Sequence, residues 1–145
     1  KQAPSDLSIR NKLLNASTVS GLAFSNTTTA AAHSMSYPLT IHYEIPHGIA
    51  SSISLLPLLE INRNFIKGPI DRICNNNELT YDELKQMIKI IPQDVIPYTL
   101  DAWGIPKDQL PKLADESFTK GRMNNNIVDL KIDDVLIILK ELYSD

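Results

Sequence analysis

Three histidines, His33, His42 and His47, are the side chains whose type and spacing could do chemistry in this chain of 145 residues. They sit in or beside a stretch, Leu13 to Tyr43, that contains no Asp, Glu, Lys or Arg. Imidazole titrates near neutrality and is the commonest transition-metal ligand. His33 and His47 are fourteen residues apart, on either side of Pro38. Two helices that cross or run antiparallel would aim both rings into one cleft. The same spacing also suits two core histidines or helix caps, and neither a zinc-finger nor an H-E-x-x-H spacing occurs. His42 reads as a polar residue at a helix end or cleft rim.

Composition narrows the chemistry further. With 43% hydrophobic and 21% charged residues the chain has the balance of a globular domain. Fourteen basic against seventeen acidic residues give a net charge of −3, which argues against a nucleic-acid partner. No apolar run approaches the roughly 20 residues of a membrane span. A single cysteine, Cys74, favours a small buried hydrophobe in a reducing, cytoplasmic compartment. Five glycines form neither a G-x-G-x-x-G nor a phosphate-binding P-loop, so no nucleotide cradle is visible. Residues 1–145 are read as one domain. The chain opens at Lys1 with no methionine and no signal-peptide pattern, from which further sequence upstream is expected.

The elements that must position the histidines are helical. Ser5 or Asp6 can cap a first helix running through Asn26, with Ile9, Leu13, Ala16 and Ala23 on one face and Leu14, Val19 and Leu22 widening it. Its poverty in charge and wealth of small residues predict a buried helix, surrounded by others. Pro38 is expected to end or kink the next helix. Pro46 suits the first turn of another, reaching Asn62 and bent or locally adjusted at Pro57. A short apolar segment spans Ile66–Cys74. Thr80-Tyr81-Asp82-Glu83 matches a capping box that opens a helix through Leu84, Met87, Ile88 and Ile91. Gly104 marks a stop, and Ile105-Pro106 begins a helix with Leu110, Leu113, Ala114 and Phe118. A last helix carries Val135, Ile138, Leu139 and Leu142. With no convincing strand alternation, the fold class is all-α, a multihelical bundle of about seven helices. Trp103 and Phe118 are assigned to the core, Lys85 and Lys89 to a solvated face, and the triplets Asn75–Asn77 and Asn124–Asn126 to turns or frayed loops.

The residues around the histidines carry a more specific signal. Ala32-His33-Ser34-Met35-Ser36-Tyr37-Pro38-Leu39, then Pro46-His47-Gly48-Ile49-Ala50 and Leu56-Pro57 through Ile61-Asn62, resemble the signature of the iron-containing (group III) alcohol dehydrogenases. Gly21-Leu22-Ala23-Phe24-Ser25-Asn26 looks like the helix before that signature. Gly104-Ile105-Pro106 and Asn124-Asn125-Asn126 are similar to the family's tail. The resemblance covers nearly the whole chain.

That resemblance implies a two-domain, dehydroquinate synthase-like enzyme. An N-terminal α/β domain binds NAD(P), and a C-terminal helical domain holds a divalent metal, Fe²⁺ or Zn²⁺, through one Asp and three His. His33 and His47 match the last two histidines; the Asp and the first His belong to upstream sequence. The metal would bind the oxygen of a small alcohol or aldehyde and favour hydride transfer to or from the nicotinamide. The implied partners are that substrate, the missing nucleotide-binding domain and a homo-oligomeric copy, and this chain alone is expected to be inactive. One position departs from the pattern: where the family has a second histidine before Pro-Leu, associated with proton transfer or substrate contact, this chain has Tyr37. A phenol, with an ordinary pKa near ~10, cannot simply replace an imidazole base. Tyr37, with Thr27-Thr28-Thr29, is similar to a branch that includes phosphonoacetaldehyde reductases, which would favour a small, anionic aldehyde. Two other readings stand beside this one: a non-catalytic helical assembly module derived from the family, and a zinc-dependent polyol (glycerol) dehydrogenase domain.

Overall fold

The computed structural model describes residues 5–143. Among them are eight α-helices, three short 3-10 turns and no strands. The helices are α1 (Leu7–Phe24), α2 (Ala31–Tyr43), α3 (His47–Ser52), α4 (Leu55–Asn62), α5 (Lys67–Asn76), α6 (Tyr81–Ile90), α7 (Leu110–Glu116) and α8 (Ile132–Glu141). The all-α expectation is met. No helix among the described residues is long and apolar enough to cross a membrane.

The core forms around α2. Ala31, Met35 and Leu39 recur at four-residue spacing on its inner face and are at most 1% exposed. They join one continuous apolar cluster with Ala50 and Ile53 after the turn, Leu110, Leu113 and Ala114 of α7, and Val135, Ile138 and Leu139 of α8. Side chains one turn apart share a helix face, so three or four apolar residues per helix suffice to close such a core. Two buried serines lock α2 to the end of α7: Ser34 Oγ donates to the Ser117 carbonyl at 2.5 Å, and Ser117 Oγ donates to the Leu113 carbonyl at 2.7 Å. A buried hydroxyl with a good acceptor avoids the desolvation penalty that an orphaned one would incur.

Several boundaries fall where local chemistry puts them. Thr80 and Glu83 form the expected reciprocal cap of α6, with Glu83 N–H donating to Thr80 Oγ1 at 3.2 Å and Thr80 N–H to the Glu83 carboxylate at 2.7 Å. Gly104 turns the chain at φ 72°, a left-handed geometry that L side chains resist. Cys74 is buried, and Trp103 and Phe118 pack against the core.

Other expectations are overturned. The first helix is not buried: every residue from Ser5 to Thr28 is exposed, including Leu13, Leu14, Val19 and Leu22 at 61–65%. Asp6 caps it through the amides of Ser8 and Ile9, so local bonding shapes the helix although no described helix surrounds it. Of the two outcomes expected at Pro38, an end to the helix does not occur: Pro38 lies inside α2. Pro38 is itself buried, and burial of this central helix outweighs the lost backbone bond. The segment after Pro46 is two helices rather than one, broken at Ile53–Ser54, which puts Pro57 in the first turn of α4 where its missing N–H removes no helical bond. Lys85 is not simply solvated but bridges Glu60 and Asp82, both at 2.9 Å. The second Asn triplet is tied down: Asn62 and Asn126 exchange side-chain amide bonds at 3.0 and 3.1 Å.

Candidate functional site

His33 sits in the first turn of α2, and Tyr37 follows four residues later on the same face. Glu44 then ends α2 in a left-handed conformation, φ 54°, with its N–H bonded to the Thr40 carbonyl. Ile45 plugs the core beneath this turn at 0% exposure, and Pro46 caps α3 so that His47 becomes its first residue. The turn folds α3 back against α2, and the His33 and His47 rings meet edge to face with centroids 5.4 Å apart. Tyr37 completes a triangle, its ring 6.2 Å from that of His47.

Neighbouring groups orient the pair. Ser36 Oγ donates to the His33 carbonyl at 2.7 Å and lies 3.5 Å from His47 Nδ1. Phe24, at the end of α1, stacks on His33 at 6.0 Å between centroids. Arg122 sets its guanidinium over the Tyr37 ring, 4.6 Å from the centroid. The pKa of His33 is lowered from its ordinary 6.5, first by burial and then by the positive influence of His47 and Arg122. All three causes disfavour the imidazolium, leaving a neutral ring whose lone pair can ligate a metal.

Two adjacent imidazoles are donors of the kind that a borderline divalent ion accepts. Among the described residues no group of three or more His, Cys, Asp or Glu could hold a metal ion. His42 is not drawn into this cluster. It lies at the other end of α2, with Nε2 2.6 Å from Glu116 Oε2 on α7. A groove of about 720 Å³ runs between α4, α6 and α8, floored by Ile53, Leu56 and Ile138, and none of His33, Tyr37 and His47 lines it.

Sequence reasoning singled out His33, Tyr37 and His47 but missed Arg122, Ser36 and Phe24. Ser36 had a findable signal, since a serine three residues after a histidine on a helix can bond that residue's carbonyl. Arg122 had none: it stands in an aperiodic loop more than eighty residues downstream, and only packing brings it to α2.

The chain is 26% identical over 137 residues to long-chain-alcohol dehydrogenase 1 of Geobacillus thermodenitrificans, covering 82% of this chain and 33% of that protein. It is 28% identical to the NADPH-dependent butanol dehydrogenase of Clostridium saccharobutylicum, covering 79% and 32% respectively. Against the sulfoacetaldehyde reductase of Bilophila wadsworthia the identity is 25%, covering 90% and 37%. The chain thus spans about a third of the length of these curated relatives. A family model described as "Fe-containing alcohol dehydrogenase family, C-terminal" matches residues 1–143, a span that holds every described helix and both converging histidines. The chain belongs to the Fe-containing alcohol dehydrogenase family.

Proposed function

We propose that this chain is the metal-binding C-terminal part of an NAD(P)-dependent alcohol dehydrogenase or aldehyde reductase, in which His33 and His47 supply two ligands to a divalent ion, Fe²⁺ or Zn²⁺. The observation that carries this reading is the convergence of the two rings, from two helices, beside a third side chain suited to substrate contact. The similar proteins, by name, act on alcohols and aldehydes, and one uses NADPH. The ion would supply Lewis-acid polarisation of the substrate oxygen and electrostatic stabilisation of its charge during hydride transfer.

The protein's own groups have distinct tasks. His33 presents a neutral nitrogen without first having to lose a proton at neutral pH. Ser36, placed against His47 Nδ1, leaves Nε2 as the free nitrogen of that ring and fixes the ring's orientation. Tyr37 borders the pair and shapes the substrate's approach. An Asp and a further His would complete the donor set from sequence outside residues 1–145, together with the domain that binds the nicotinamide. The exposed apolar residues of α1 support this arrangement, because a helix apolar on several sides is stable in water only when something covers it. On this reading residues 1–145 alone do not reduce aldehydes.

The test is elemental analysis of Fe and Zn in the full-length polypeptide, alongside NAD(P)H-dependent aldehyde reduction. His33→Ala and His47→Ala are each expected to lose metal and activity together. Full metal content in both variants would overturn the ligand assignment. It would favour the second reading that α1 also supports, an assembly module in which the histidines serve only packing.

A further inference from the structure

A half-buried cation beside the histidine pair forms no ion pair among the described residues. Arg122 follows Gly121, whose φ of 79° makes the sharp turn that L residues resist. The turn is braced on both sides. Met123 is buried at 3% exposure, and Asn125 Nδ2 donates at 2.8 Å to both the Thr29 and Gly121 carbonyls, fastening the loop to the start of α2. Arg122 is therefore held over Tyr37, one aromatic ring away from His47, and its charge is felt at His33.

None of the five ion pairs among the described residues includes Arg122. Lys85, over Tyr81, is neutralised by Glu60 and Asp82, whereas Arg63 over Tyr81 and Lys107 over Tyr143 share with Arg122 the lack of an ion pair among the described residues. Of these three, Arg122 is the one whose ring lies against a histidine of the pair. The acid across from the far end of α2, Glu116, is engaged by His42 and Lys112. A partly desolvated guanidinium is unfavourable without a partner, and its planar fork matches the oxygens of a carboxylate, sulfonate or phosphonate. The Tyr37 ring offers it an attractive face, whereas a protonated imidazole in that place would repel it. Tyr37 and Arg122 thus form a stacked pair beside the histidines.

We propose that Arg122 makes this a site for small aldehydes or alcohols bearing a terminal oxyanion group, which the guanidinium binds while the reacting oxygen lies toward His33 and His47. The inference rests on the dehydrogenase reading for its substrate, and names the class that the site selects. The short path from Arg122 across one ring to the histidines suits a spacer of a few carbons. Tyr37 positions the guanidinium, and Arg122 contacts the substrate's far end.

Two measurements test it. In the full-length enzyme, kcat/KM for 4-oxobutanoate relative to butanal is expected to fall roughly 10- to 100-fold in Arg122→Gln, the range for losing a charge-assisted hydrogen-bond pair. Most of the fall should appear as a higher KM for 4-oxobutanoate, with partial recovery in Arg122→Lys. An unchanged ratio would overturn the proposal. Independently of any metal or cofactor, NMR titration of residues 1–145 with propane-1-sulfonate should shift the Arg122 Nε–H and His33 ring signals saturably, and 1-propanol should not. Equal shifts in Arg122→Gln, or none in the unaltered chain, would overturn it. If the full-length protein reduces neither aldehyde, the dehydrogenase reading fails and the sulfonate titration alone decides whether Arg122 is an anion site.

Discussion

The rings of His33 and His47 meet edge to face, 5.4 Å between centroids, although they belong to different helices and Pro38 stands between them in the chain. The pair depends on two local facts acting together. Helix α2 runs through Pro38 to Tyr43, and the left-handed Glu44 then reverses the chain so that Pro46 can start α3 with His47. Had the proline ended the helix, Leu39 would have left the buried face that Ala31 and Met35 occupy. The route from sequence to site passes through a helix that local propensity disfavours and tertiary burial sustains.

The first prediction concerns protonation of His33. Its folded pKa lies below the ordinary 6.5, so the unfolded chain binds this proton more readily. His33 therefore contributes stability above pH 6.5, and that contribution is lost as pH falls through the folded pKa. NMR titration of the ring should give a midpoint below 6.5. Arg122→Gln and His47→Ala should each raise the midpoint, neither restoring 6.5 alone because burial is the largest cause. A midpoint indifferent to both substitutions would contradict the electrostatic coupling.

Ser34 links α2, which carries His33, to the loop that carries Arg122. Its hydroxyl is fully buried, donates to the Ser117 carbonyl at 2.5 Å and accepts from the Thr119 N–H at 3.4 Å. Ser34→Ala should cost about 1–3 kcal/mol, read by urea denaturation, because buried groups lose their partner. Amide exchange in residues 119–126 should quicken as the loop loosens. A stability loss without faster exchange there would show that Ser34 serves the core alone.

Much of this architecture was legible because its signals are local. The Thr80–Glu83 cap, the Gly104 stop and the apolar spacing of α8 each specify a backbone event within a few residues. His33 and His47 were legible through spacing and surrounding motif. What escaped was set by contacts distant in sequence. Leu14 and Val19 read as core because an apolar helix usually finds a cover, but none of the described helices provides one. Lys85 read as solvated because its Glu60 partner lies on another helix. Arg122 was invisible because a single basic residue in a loop has no period to betray it.

Asn62 and Asn126 supply the third prediction. Their side-chain amides exchange two hydrogen bonds, and Asn126 Nδ2 also donates to the Val128 carbonyl at 2.8 Å, joining the end of α4 to the loop before α8. A double-mutant cycle with Asn62→Ala and Asn126→Ala should give a coupling energy of about 0.5–3 kcal/mol, since residues in one hydrogen-bond network are not additive. Additivity would mean that the amide pair contributes shape without energy. The Asn126→Ala variant should be the more harmful, because it also frees Val128.

The last prediction separates exposed from buried apolar residues. Leu14 and Val19 on α1 are each 65% exposed, whereas Leu39 on α2 is 1% exposed. In residues 1–145, Leu14→Glu and Val19→Glu should each change stability by no more than about 0.5 kcal/mol, because nothing in the described chain covers them. Leu39→Ala should lose about 2–5 kcal/mol through the cavity it leaves. In the full-length polypeptide the two glutamates should become harmful if the rest of the enzyme packs on α1, since each would then bury an unpaired charge. Comparing the same substitutions in both lengths by thermal denaturation therefore reads out the cover itself. A large loss in residues 1–145 would show that α1 packs on this chain's own core, and equal tolerance in both would show that α1 stays in water.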